Sequence, residues 1–413
     1  MQKLEAAAIH MHKNFNEVEF IFPKEIDIEV FSDNSSFEPF SEEVVNYLDA
    51  LSKELNKDLN IRVYPDVATF GFFCRRGNIL SLKKKHSKDD ILRLGRGLLF
   101  HIAPSNVAVN FAYSLVSGLL AGNFNIVRVP SKNFEQIDII SKALERVNKK
   151  TEHEFISSRI ALIRYDRTSS ATSYFSSICD VRIIWGGDET ISQIRENKIP
   201  PRSFDVTFSD RYSLCAINAD EYVNEKTPNK IAQGFYNDTY LFDQNACTAP
   251  HLLIWLGSDE NVTIAKRIFW DSLYELVKLK YIVQPVIAVD KLTSFYNQSV
   301  HMNQVTKTTT PDNLIWRVEL KHLLNNIDEF RCNSGYFSEY HAASLSEIKN
   351  IIDRKYQTLA YYGISNEELN KFIKHEKPNG IDRIVPIGKT SEFSLNWDGI
   401  DLINNLSRVI EIK

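Results

Sequence analysis

One of the five cysteines lies in a setting that suits nucleophilic chemistry. Cys247 stands in the polar segment Leu241–Pro250, which reads Leu-Phe-Asp-Gln-Asn-Ala-Cys-Thr-Ala-Pro. A thiolate attacks an acyl carbon at neutral pH, and the thioester that forms releases its acyl group easily. An isolated cysteine is more often a small buried apolar residue, which is our interpretation of the other four: Cys74, Cys179, Cys215 and Cys332. We therefore predict that Cys247 carries an acyl group as a thioester.

The spacing of the cysteines and histidines argues against metal or disulfide chemistry. The cysteines form no CxxC pair, and the ten histidines contain no HxxxH or HExxH motif. Zinc sites and disulfide frameworks depend on such spacings. Scattered cysteines in odd number fit a reducing cytoplasm, and the first residues lack the apolar core of a secretory signal. We expect a cytoplasmic protein without a metal site.

The composition is that of an ordinary globular protein. The 413 residues are 43% apolar and 25% charged, with a net charge of −4. This length suffices for two or three domains of about 100–200 residues each. The interspersed charges give no sign of nucleic-acid binding. The longest apolar stretch, 111–121, is shorter than the roughly 20 residues that span a bilayer. We expect neither a nucleic-acid partner nor a membrane span.

Strands and helices alternate from residue 97 onwards. Four short apolar segments are typical of buried strands: 97–102, 125–129, 160–164 and 181–185. Apolar residues at helical spacing predict helices at 107–121 and after Pro130. This alternation predicts a parallel α/β sheet, in which a cofactor would bind at the carboxyl ends of the strands.

The segments on either side add to this pattern. Residues 41–54 are predicted to be helical, and the aromatic and β-branched residues of 61–73 predict a strand. Further along, a strand at 251–256 and a helix at 261–281 predict a second α/β domain. A Rossmann fingerprint is missing, because the glycines Gly95 and Gly97 precede a strand instead of following one.

Several segments resemble the aldehyde dehydrogenase superfamily. Ile102–Asn106 is similar to its Pro-Trp-Asn turn, and Ala121–Lys132 to its stretch from Ala-Gly-Asn to Lys-Pro-Ser-Glu. Ile183–Asp188 is similar to its Phe-Thr-Gly-Ser turn, and Leu241–Pro250 to its Gly-Gln-x-Cys nucleophile segment. The resemblance implies an aldehyde dehydrogenase-like α/β fold. In that fold a Rossmann-type cofactor domain is joined to an α/β catalytic domain.

The resemblance also implies roles for individual residues. Asn106 is expected to donate its side-chain amide to the oxyanion, together with the backbone N–H of Cys247. The expected cofactor contacts are Ser105, Arg128, Pro130, Ser131, Lys132, Gly186, Gly187 and Phe337. Among them, Ser131 would contact the adenosine ribose, and Arg128 and Lys132 would lie near a 2′-phosphate, which favours NADPH. Taken singly, each cation is equally explained as a solvated surface charge, and the glycine pair as a tight turn.

Longer runs narrow the resemblance to one branch. Four of them together are similar to the acyl-CoA reductase family of luminous bacteria: His101–Asn106, Ile184–Asp188, Pro201–Arg211 and Asn237–Cys247. The similarity extends over about 97–257, with further runs at 380–388 and 397–401. It implies that an activated long-chain acyl group, held as a CoA thioester, protein thioester or acyl-adenylate, is reduced to the aldehyde. It also implies a homo-oligomer that works beside an acyl-protein synthetase and a thioesterase.

An absent carboxylate agrees with this reductive direction. Aldehyde-oxidising members of the superfamily carry a glutamate in a Glu-Leu-Gly-Gly segment, which activates water to hydrolyse the acyl-enzyme. Thr207 stands at that place here. The glutamate of their Glu-x-Phe-Gly-Pro segment is also missing, because Gly335 takes its place. Without a base to deliver water, an acyl group on Cys247 would wait for hydride.

We expect four parts of the chain. These are an N-terminal extension at 1–60, a cofactor-binding domain at 61–235, a catalytic domain at 236–380, and a C-terminal segment at 381–413 that returns to the cofactor domain.

Two other functions remain open. The chain would be a hydrolase or acyltransferase if Cys247 worked with a histidine, although His101 and His251 are interpreted as structural. Alternatively, it would be a subunit that only carries acyl groups within a multienzyme complex.

Overall fold

The computed structural model describes residues 17–24, 36–58, 61, 63–86, 91–105, 107–302 and 304–413. The chain divides into two compact units, one made of residues 1–209 and 395–413 and the other of residues 210–394. The expected boundary at 235 is therefore placed too late. The physical reason is that the strand Tyr212–Asn218 hydrogen-bonds to the strand Pro250–Leu256 and so belongs to the second unit.

The first unit is built around a six-stranded sheet. Its strands, in spatial order, are Glu19–Phe22, Ile160–Arg164, Phe124–Arg128, Leu98–Ile102, Val181–Trp185 and Phe204–Phe208. The edge strand Glu19–Phe22 is antiparallel to its neighbour, and the others run parallel. The helices are Glu42–Lys57, Pro65–Phe73, Arg76–His86, Asn110–Leu120, Glu135–Asn148, Glu154–Ser157, Ala171–Ile178, Asp188–Arg195 and Leu402–Leu406, with a 3-10 turn at Thr151–His153.

The central strands of this sheet lie where the apolar segments predict them. Every residue of Leu98–Ile102 and of Val181–Trp185 is buried, as expected for parallel strands that are covered on both faces. The predicted helix at 107–121 is observed as Asn110–Leu120, and the helix after Pro130 as Glu135–Asn148.

The strand predicted for 61–73 is not observed at the described residues of this segment, 61 and 63–73. Pro65 begins the helix Pro65–Phe73, a position that proline tolerates because its missing N–H has no partner there. This helix packs closely on Glu42–Lys57, where the Ser52 hydroxyl donates to the Gly71 carbonyl at 2.6 Å. Tertiary packing thus overrides the strand preference of these aromatic and β-branched residues.

The end of the chain completes the first unit. The strand Ser407–Val409 pairs with Arg93–Gly95, and Asn396–Trp397 pairs with Ile400–Asp401. The Asn123 amide donates to the Leu406 carbonyl at 2.9 Å. Residues 381–394 belong to the second unit instead, because Arg383–Pro386 pairs with Tyr356–Tyr362.

The second unit contains a seven-stranded sheet. Its strands, in spatial order, are Thr306–Thr309, Trp316–Glu319, Tyr336–His341, Pro250–Leu256, Tyr212–Asn218, Tyr356–Tyr362 and Arg383–Pro386. Only the pair formed by the first two is antiparallel. The helices are Ala219–Tyr222, Pro228–Thr239, Asp259–Lys280, Pro285–His301 and Asn366–Glu376, with 3-10 turns at Tyr240–Phe242, Ile327–Phe330 and Leu345–Ile351.

Apolar clusters cover both faces of this second sheet. Leu214 and Ile254 pack into one cluster, and their chain neighbours Cys215 and Leu253 pack into the other. Successive side chains of a strand point to opposite faces, so each central strand is buried on both sides. None of the helices that the structure describes is both long and apolar enough to cross a membrane.

Candidate active site

Cys247 lies in a series of tight turns that leads into the strand Pro250–Leu256. The 3-10 turn Tyr240–Phe242 ends at Asp243, which adopts the left-handed conformation with a φ of 51°. The Asn245 N–H then donates to the Phe242 carbonyl at 2.8 Å. The Cys247 side chain is half-buried. The segment therefore presents its cysteine on a folded loop, as the polar sequence predicts.

A glutamine missed by the sequence reasoning anchors this loop. The Gln244 side chain is 1% exposed and makes four hydrogen bonds to the backbone. Its amide nitrogen donates to the carbonyls of Pro250 and Tyr336 at 2.9 and 3.0 Å. Its amide oxygen accepts the N–H groups of Gly335 and Tyr336 at 2.9 and 3.1 Å. The loop is thereby tied to two strands of the sheet.

Gly335 itself shows why no glutamate stands at that place. Its φ is 92°, and an added Cβ would lie 2.3 Å from the Leu314 carbonyl oxygen and 2.3 Å from the Tyr240 hydroxyl. A side chain would clash with both groups, and the backbone conformation favours glycine. The fold thus excludes a glutamate at 335.

A second buried side chain holds Cys247 directly. The Ser213 hydroxyl donates to the Cys247 carbonyl at 2.6 Å and accepts the Thr358 N–H at 3.2 Å. Ser213 is the second residue of the strand Tyr212–Asn218 and is fully buried. Nothing in the sequence distinguishes it from other serines, because its role depends on a contact between segments far apart in the chain.

The other cysteines differ from Cys247 in their surroundings. Cys74, Cys179 and Cys215 are buried, and burial raises the pKa of each thiol, that of Cys179 to about 12. They therefore stay protonated and unreactive at neutral pH. Cys332 is half-buried and packs beside an apolar cluster.

The two histidines near the catalytic segments are structural. His101 is fully buried, with Nδ1 2.7 Å from the Ser114 hydroxyl and Nε2 3.0 Å from the Asn125 amide oxygen. Burial lowers its pKa to about 4. His251 stacks on Tyr212, and burial lowers its pKa to about 3. Both rings are neutral at pH 7, so neither supplies an imidazolium acid.

These histidines make the stability of the protein sensitive to acid. The pKa values of both histidines in the folded protein lie below the ordinary value of 6.5. Between the folded value and pH 6.5, the unfolded chain therefore binds more protons than the folded protein does. The stabilisation is complete above pH 6.5 and is lost as the pH falls through the interval. At pH 5 each histidine is expected to lower the free energy of unfolding by about 2 kcal/mol relative to pH 7.

Urea unfolding of wild type and His101→Gln at pH 7 and pH 5 measures this effect. The comparison with a variant is needed because burial raises the pKa of Asp238 to about 6, and that carboxyl titrates with the opposite sign. His101→Gln should show the smaller loss of unfolding free energy on acidification. Equal losses in the two proteins would contradict the assignment.

The expected cofactor segments of the first unit begin at one edge of its sheet. The parallel register pairs Ile102 with both Arg128 and Ile184, and the Ala103 N–H donates to the Arg128 carbonyl at 3.1 Å. Three segments therefore leave the carboxyl ends of neighbouring strands together: 103–105, 129–132 and 186–187. Such an edge is where parallel sheets bind ligands.

The two glycines of the turn differ in their surroundings: a Cβ built on Gly186 would lie 3.2 Å from Thr190 Cγ2, whereas Gly187 has open space. Gly187 precedes the helix Asp188–Arg195 with an ordinary φ of −68°, and a Cβ built on it would meet no atom within 4 Å. The Gly186 N–H donates to the Phe208 carbonyl at 3.1 Å. Since neither the turn nor the neighbouring side chains require glycine at 187, the open space in front of its backbone fits a closely approaching cofactor.

The residues expected to contact a nucleotide fall into two groups. Ser105, Ser131 and Lys132 are exposed, with the Lys132 ammonium 5.2 Å from the Phe134 ring centroid. Arg128 is half-buried: its guanidinium lies 4.6 Å from the Tyr165 ring centroid and donates to the Tyr165 carbonyl at 3.3 Å.

Pro130, like Arg128, is bound by another residue of the protein. It is buried, and its carbonyl accepts the Arg164 Nε–H at 3.3 Å. Arg128 and Pro130 are thus engaged within the protein, whereas Ser105, Ser131 and Lys132 are accessible to a ligand.

Phe337 does not fit the role expected for it. Its ring is fully buried, with centroids 5.4 Å from Phe235 and 5.2 Å from Trp270. It lies on a central strand and points into the apolar core, so it offers no surface to a nicotinamide. The other expected catalytic residue, Asn106, lies outside the described residues.

Thr207, which stands where the resemblance places the water-activating glutamate, lies on the strand Phe204–Phe208. The acid two residues earlier, Asp205, is bound by Arg182 through hydrogen bonds of 2.8 and 3.0 Å. Both carboxylate oxygens of Asp205 therefore accept hydrogen bonds from one guanidinium. The strand has threonine at position 207, and the carboxylate of Asp205 is engaged within the protein.

Comparison with solved structures identifies the fold. The chain aligns with a mutant of 1-pyrroline-5-carboxylate dehydrogenase from Thermus thermophilus at 12% identity and a TM-score of 0.61, over 92% of this chain and 83% of that one. An NAD-dependent benzaldehyde dehydrogenase from Corynebacterium glutamicum aligns at 10% identity and a TM-score of 0.60, over 92% and 86%. These similarities confirm the predicted aldehyde dehydrogenase-like α/β fold.

A larger protein contains the same fold as a part. A mutant of Proline Utilization A from Bradyrhizobium japonicum aligns at 15% identity and a TM-score of 0.62, over 86% of this chain but 39% of that one. None of the curated proteins compared with the chain matches it. The sequence model of one protein family, described as acyl-CoA reductase (LuxC), matches residues 77–409.

Proposed function

The chain belongs to the acyl-CoA reductase (LuxC) family, and on that premise we propose that it reduces a long-chain activated acyl group through a thioester on Cys247. Membership and fold make it an aldehyde-forming oxidoreductase that acts on acyl groups. The observation that carries the finer proposal is the Cys247 loop. Its thiol is half-buried on an anchored turn, whereas Cys74, Cys179 and Cys215 are buried.

The first half of the reaction loads the acyl group. The Cys247 thiolate attacks the acyl carbon of a CoA thioester, protein thioester or acyl-adenylate, and the carbonyl oxygen becomes an oxyanion. We assign the Asn106 amide and the Cys247 backbone N–H as its hydrogen-bond donors. The oxyanion then collapses and the leaving group departs, which leaves the acyl group as a thioester on Sγ.

The second half releases the aldehyde. A reduced nicotinamide cofactor supplies a hydride to the thioester carbon when it is bound. The same two donors stabilise the thiohemiacetal oxyanion on Cys247. As this oxyanion collapses to the aldehyde, the bond from carbon to Sγ breaks and the Cys247 thiolate is regenerated. Because Thr207 replaces a water-activating glutamate and Asp205 is held by Arg182, hydrolysis does not compete.

We propose that Ser105, Ser131, Lys132, Gly186 and Gly187 hold the cofactor and that it is NADPH. The accessible Lys132 ammonium is the group we assign to the 2′-phosphate, since Arg128 is engaged by Tyr165. A cation near a phosphate stabilises it by charge-assisted hydrogen bonds.

Lys132→Ala is therefore expected to raise the KM for NADPH by about 10-fold, which corresponds to about 1.4 kcal/mol for a charged hydrogen bond. The KM for NADH should change little, because NADH lacks the phosphate. Steady-state kinetics with both cofactors measures this, with Lys142→Ala as control, because Lys142 is an exposed lysine on the helix Glu135–Asn148. Parallel changes for the two cofactors would refute the role of Lys132.

A panel of acyl donors tests the proposed function as a whole. The protein is incubated with acyl-CoA of several chain lengths, acyl-adenylate and an acylated carrier protein, with NADPH or NADH, and the products are identified. Aldehyde formed in step with NADPH oxidation supports the proposal. Acid without NADPH oxidation would instead indicate a hydrolase. Stable labelling of Cys247 without turnover would indicate an acyl-carrying subunit.

We also propose that the protein is a homo-oligomer and that its acyl donor comes from an acyl-protein synthetase, with a thioesterase in the same system. The helix Pro285–His301 supports the first part. Its exposed apolar residues are Val286, Val289, Leu292, Tyr296 and Val300, which recur every three or four residues and so lie on one face of the helix. Contact between two copies of this face about a two-fold axis would remove these side chains from water.

A further inference from the structure

We infer that Gln244 is a positioning residue for Cys247. Its buried side chain fixes the loop so that the thiol meets the acyl carbon and the backbone N–H of Cys247 meets the acyl oxygen. This inference rests on the proposed function of Cys247 as the acyl-accepting nucleophile.

The backbone at Gln244 is the first observation. Its φ is 58°, in the left-handed region where a side chain costs energy and glycine does not. Counted back from the cysteine, Gln244 stands at the glycine of the Gly-Gln-x-Cys segment that Leu241–Pro250 resembles. A glutamine at this place therefore accepts a strained conformation that a glycine would relieve. Its side chain must supply a compensating interaction.

The side chain supplies that interaction from inside the protein. All four hydrogen bonds of the amide go to backbone groups, namely those of Pro250, Gly335 and Tyr336. Pro250 follows Cys247 by three residues, and Tyr336, directly after Gly335, begins the neighbouring strand of the sheet. The amide therefore ties the residue three before Cys247 to the residue three after it and to a neighbouring strand, which closes the loop that carries the thiol.

Ser213 completes the arrangement from the opposite side. Its hydroxyl holds the Cys247 carbonyl at 2.6 Å, and the Thr358 N–H fixes that hydroxyl. The loop is thus restrained at two places: Ser213 holds the carbonyl of Cys247 itself, and Gln244 holds the chain three residues before and three residues after it. Restraint of this kind matters because a misplacement of about 1 Å can cost about 10²-fold in rate.

Gln244→Gly isolates the side chain, because glycine keeps the left-handed backbone and removes only the hydrogen-bonding group. The chain offers a matched control in Gln304→Gly. Gln304 is also a glutamine in the left-handed region, with a φ of 60°, but its side chain is exposed. Each variant is compared with wild type in three measurements: single-turnover acylation of Cys247 by acyl-CoA without cofactor, steady-state kcat and KM, and the midpoint of urea unfolding.

Gln244→Gly is expected to slow acylation and lower kcat by about 10- to 100-fold, with the KM for NADPH unchanged. Gln304→Gly should stay within about 2-fold of wild type in all rates. A residue with a merely structural role would lower the urea midpoint but leave the acylation rate of the folded enzyme unchanged, and that result would overturn the inference.

Ser213→Ala keeps the test decisive if Gln244→Gly does not fold. It removes the other restraint on Cys247 and should slow acylation in the same way while the KM for NADPH stays constant. Wild-type acylation rates in Ser213→Ala would then refute the positioning of the loop. If the wild-type protein forms no acyl-Cys247, the proposed function fails. If the wild type is acylated and both Gln244→Gly and Ser213→Ala are acylated at the same rate, only the present inference fails.

Discussion

Cys247→Ala is expected to lower the rate of aldehyde formation by about 10⁴-fold or more, because the variant has no atom on which the thioester can form. Removing a covalent nucleophile commonly eliminates most of the rate enhancement of an enzyme. The measurements are NADPH oxidation with an acyl-CoA donor and intact-protein mass spectrometry after donor is added without cofactor. Wild type should gain the mass of one acyl group, and Cys247→Ala should gain none.

The matched control for this experiment is Cys332→Ala. Cys332 is half-buried like Cys247 but does not lie on the anchored loop, so its variant should keep both the mass shift and the aldehyde product. The proposal would be wrong if Cys247→Ala retained more than about a hundredth of the wild-type rate, or if Cys332→Ala lost the acyl adduct instead.

Asn106→Ala is expected to lower kcat by about 10²–10³-fold, the usual effect of removing one oxyanion donor. The amide stabilises charge that exists only during the reaction, so the KM for the acyl donor should change far less than kcat. Alkylation of Cys247 by iodoacetamide, which forms no oxyanion, should proceed at the wild-type rate. The two assays together separate a lost oxyanion donor from a disturbed thiol.

Asn370→Ala serves as the control for that variant. Asn370 is an exposed asparagine on the helix Asn366–Glu376, and its side chain donates a hydrogen bond to the Asn366 carbonyl one turn earlier in the same helix. Its replacement should leave kcat within about 2-fold of wild type. An Asn106→Ala enzyme with an unchanged kcat would show that the oxyanion is stabilised by other groups.

Four strands of the first sheet and the strand at 251–256 of the second could be predicted from their apolar composition. Segments such as Leu98–Ile102 and Val181–Trp185 are mostly apolar, with one polar residue each at His101 and Arg182, and such a composition is typical of a strand covered on both faces. The helix Pro65–Phe73 was mistaken for a strand for the opposite reason. Its aromatic residues suit either conformation, and the choice is made by packing against a helix elsewhere in the chain.

The site was predictable only in part. Cys247 could be recognised because its neighbours along the chain are polar and turn-forming. Phe337 was wrongly expected to contact a cofactor because the direction of a strand side chain depends on register, which a short motif does not reveal. Ser213 was missed because its contact with Cys247 joins segments that are distant in sequence. A sequence shows which residue types stand beside a nucleophile. The contacts that position the nucleophile depend on which distant segments the fold brings together.

The discontinuous first unit has a consequence for the order in which the protein can fold during synthesis. Residues 210–394 form the second unit from one unbroken stretch of chain, so all of its strands are synthesised before residues 395–413 are made. The first unit lacks its final strand until then, because Arg93–Gly95 pairs with Ser407–Val409 and Asn123 bonds to Leu406. The first unit therefore cannot complete its strand pairing until synthesis has passed through the whole of the second unit.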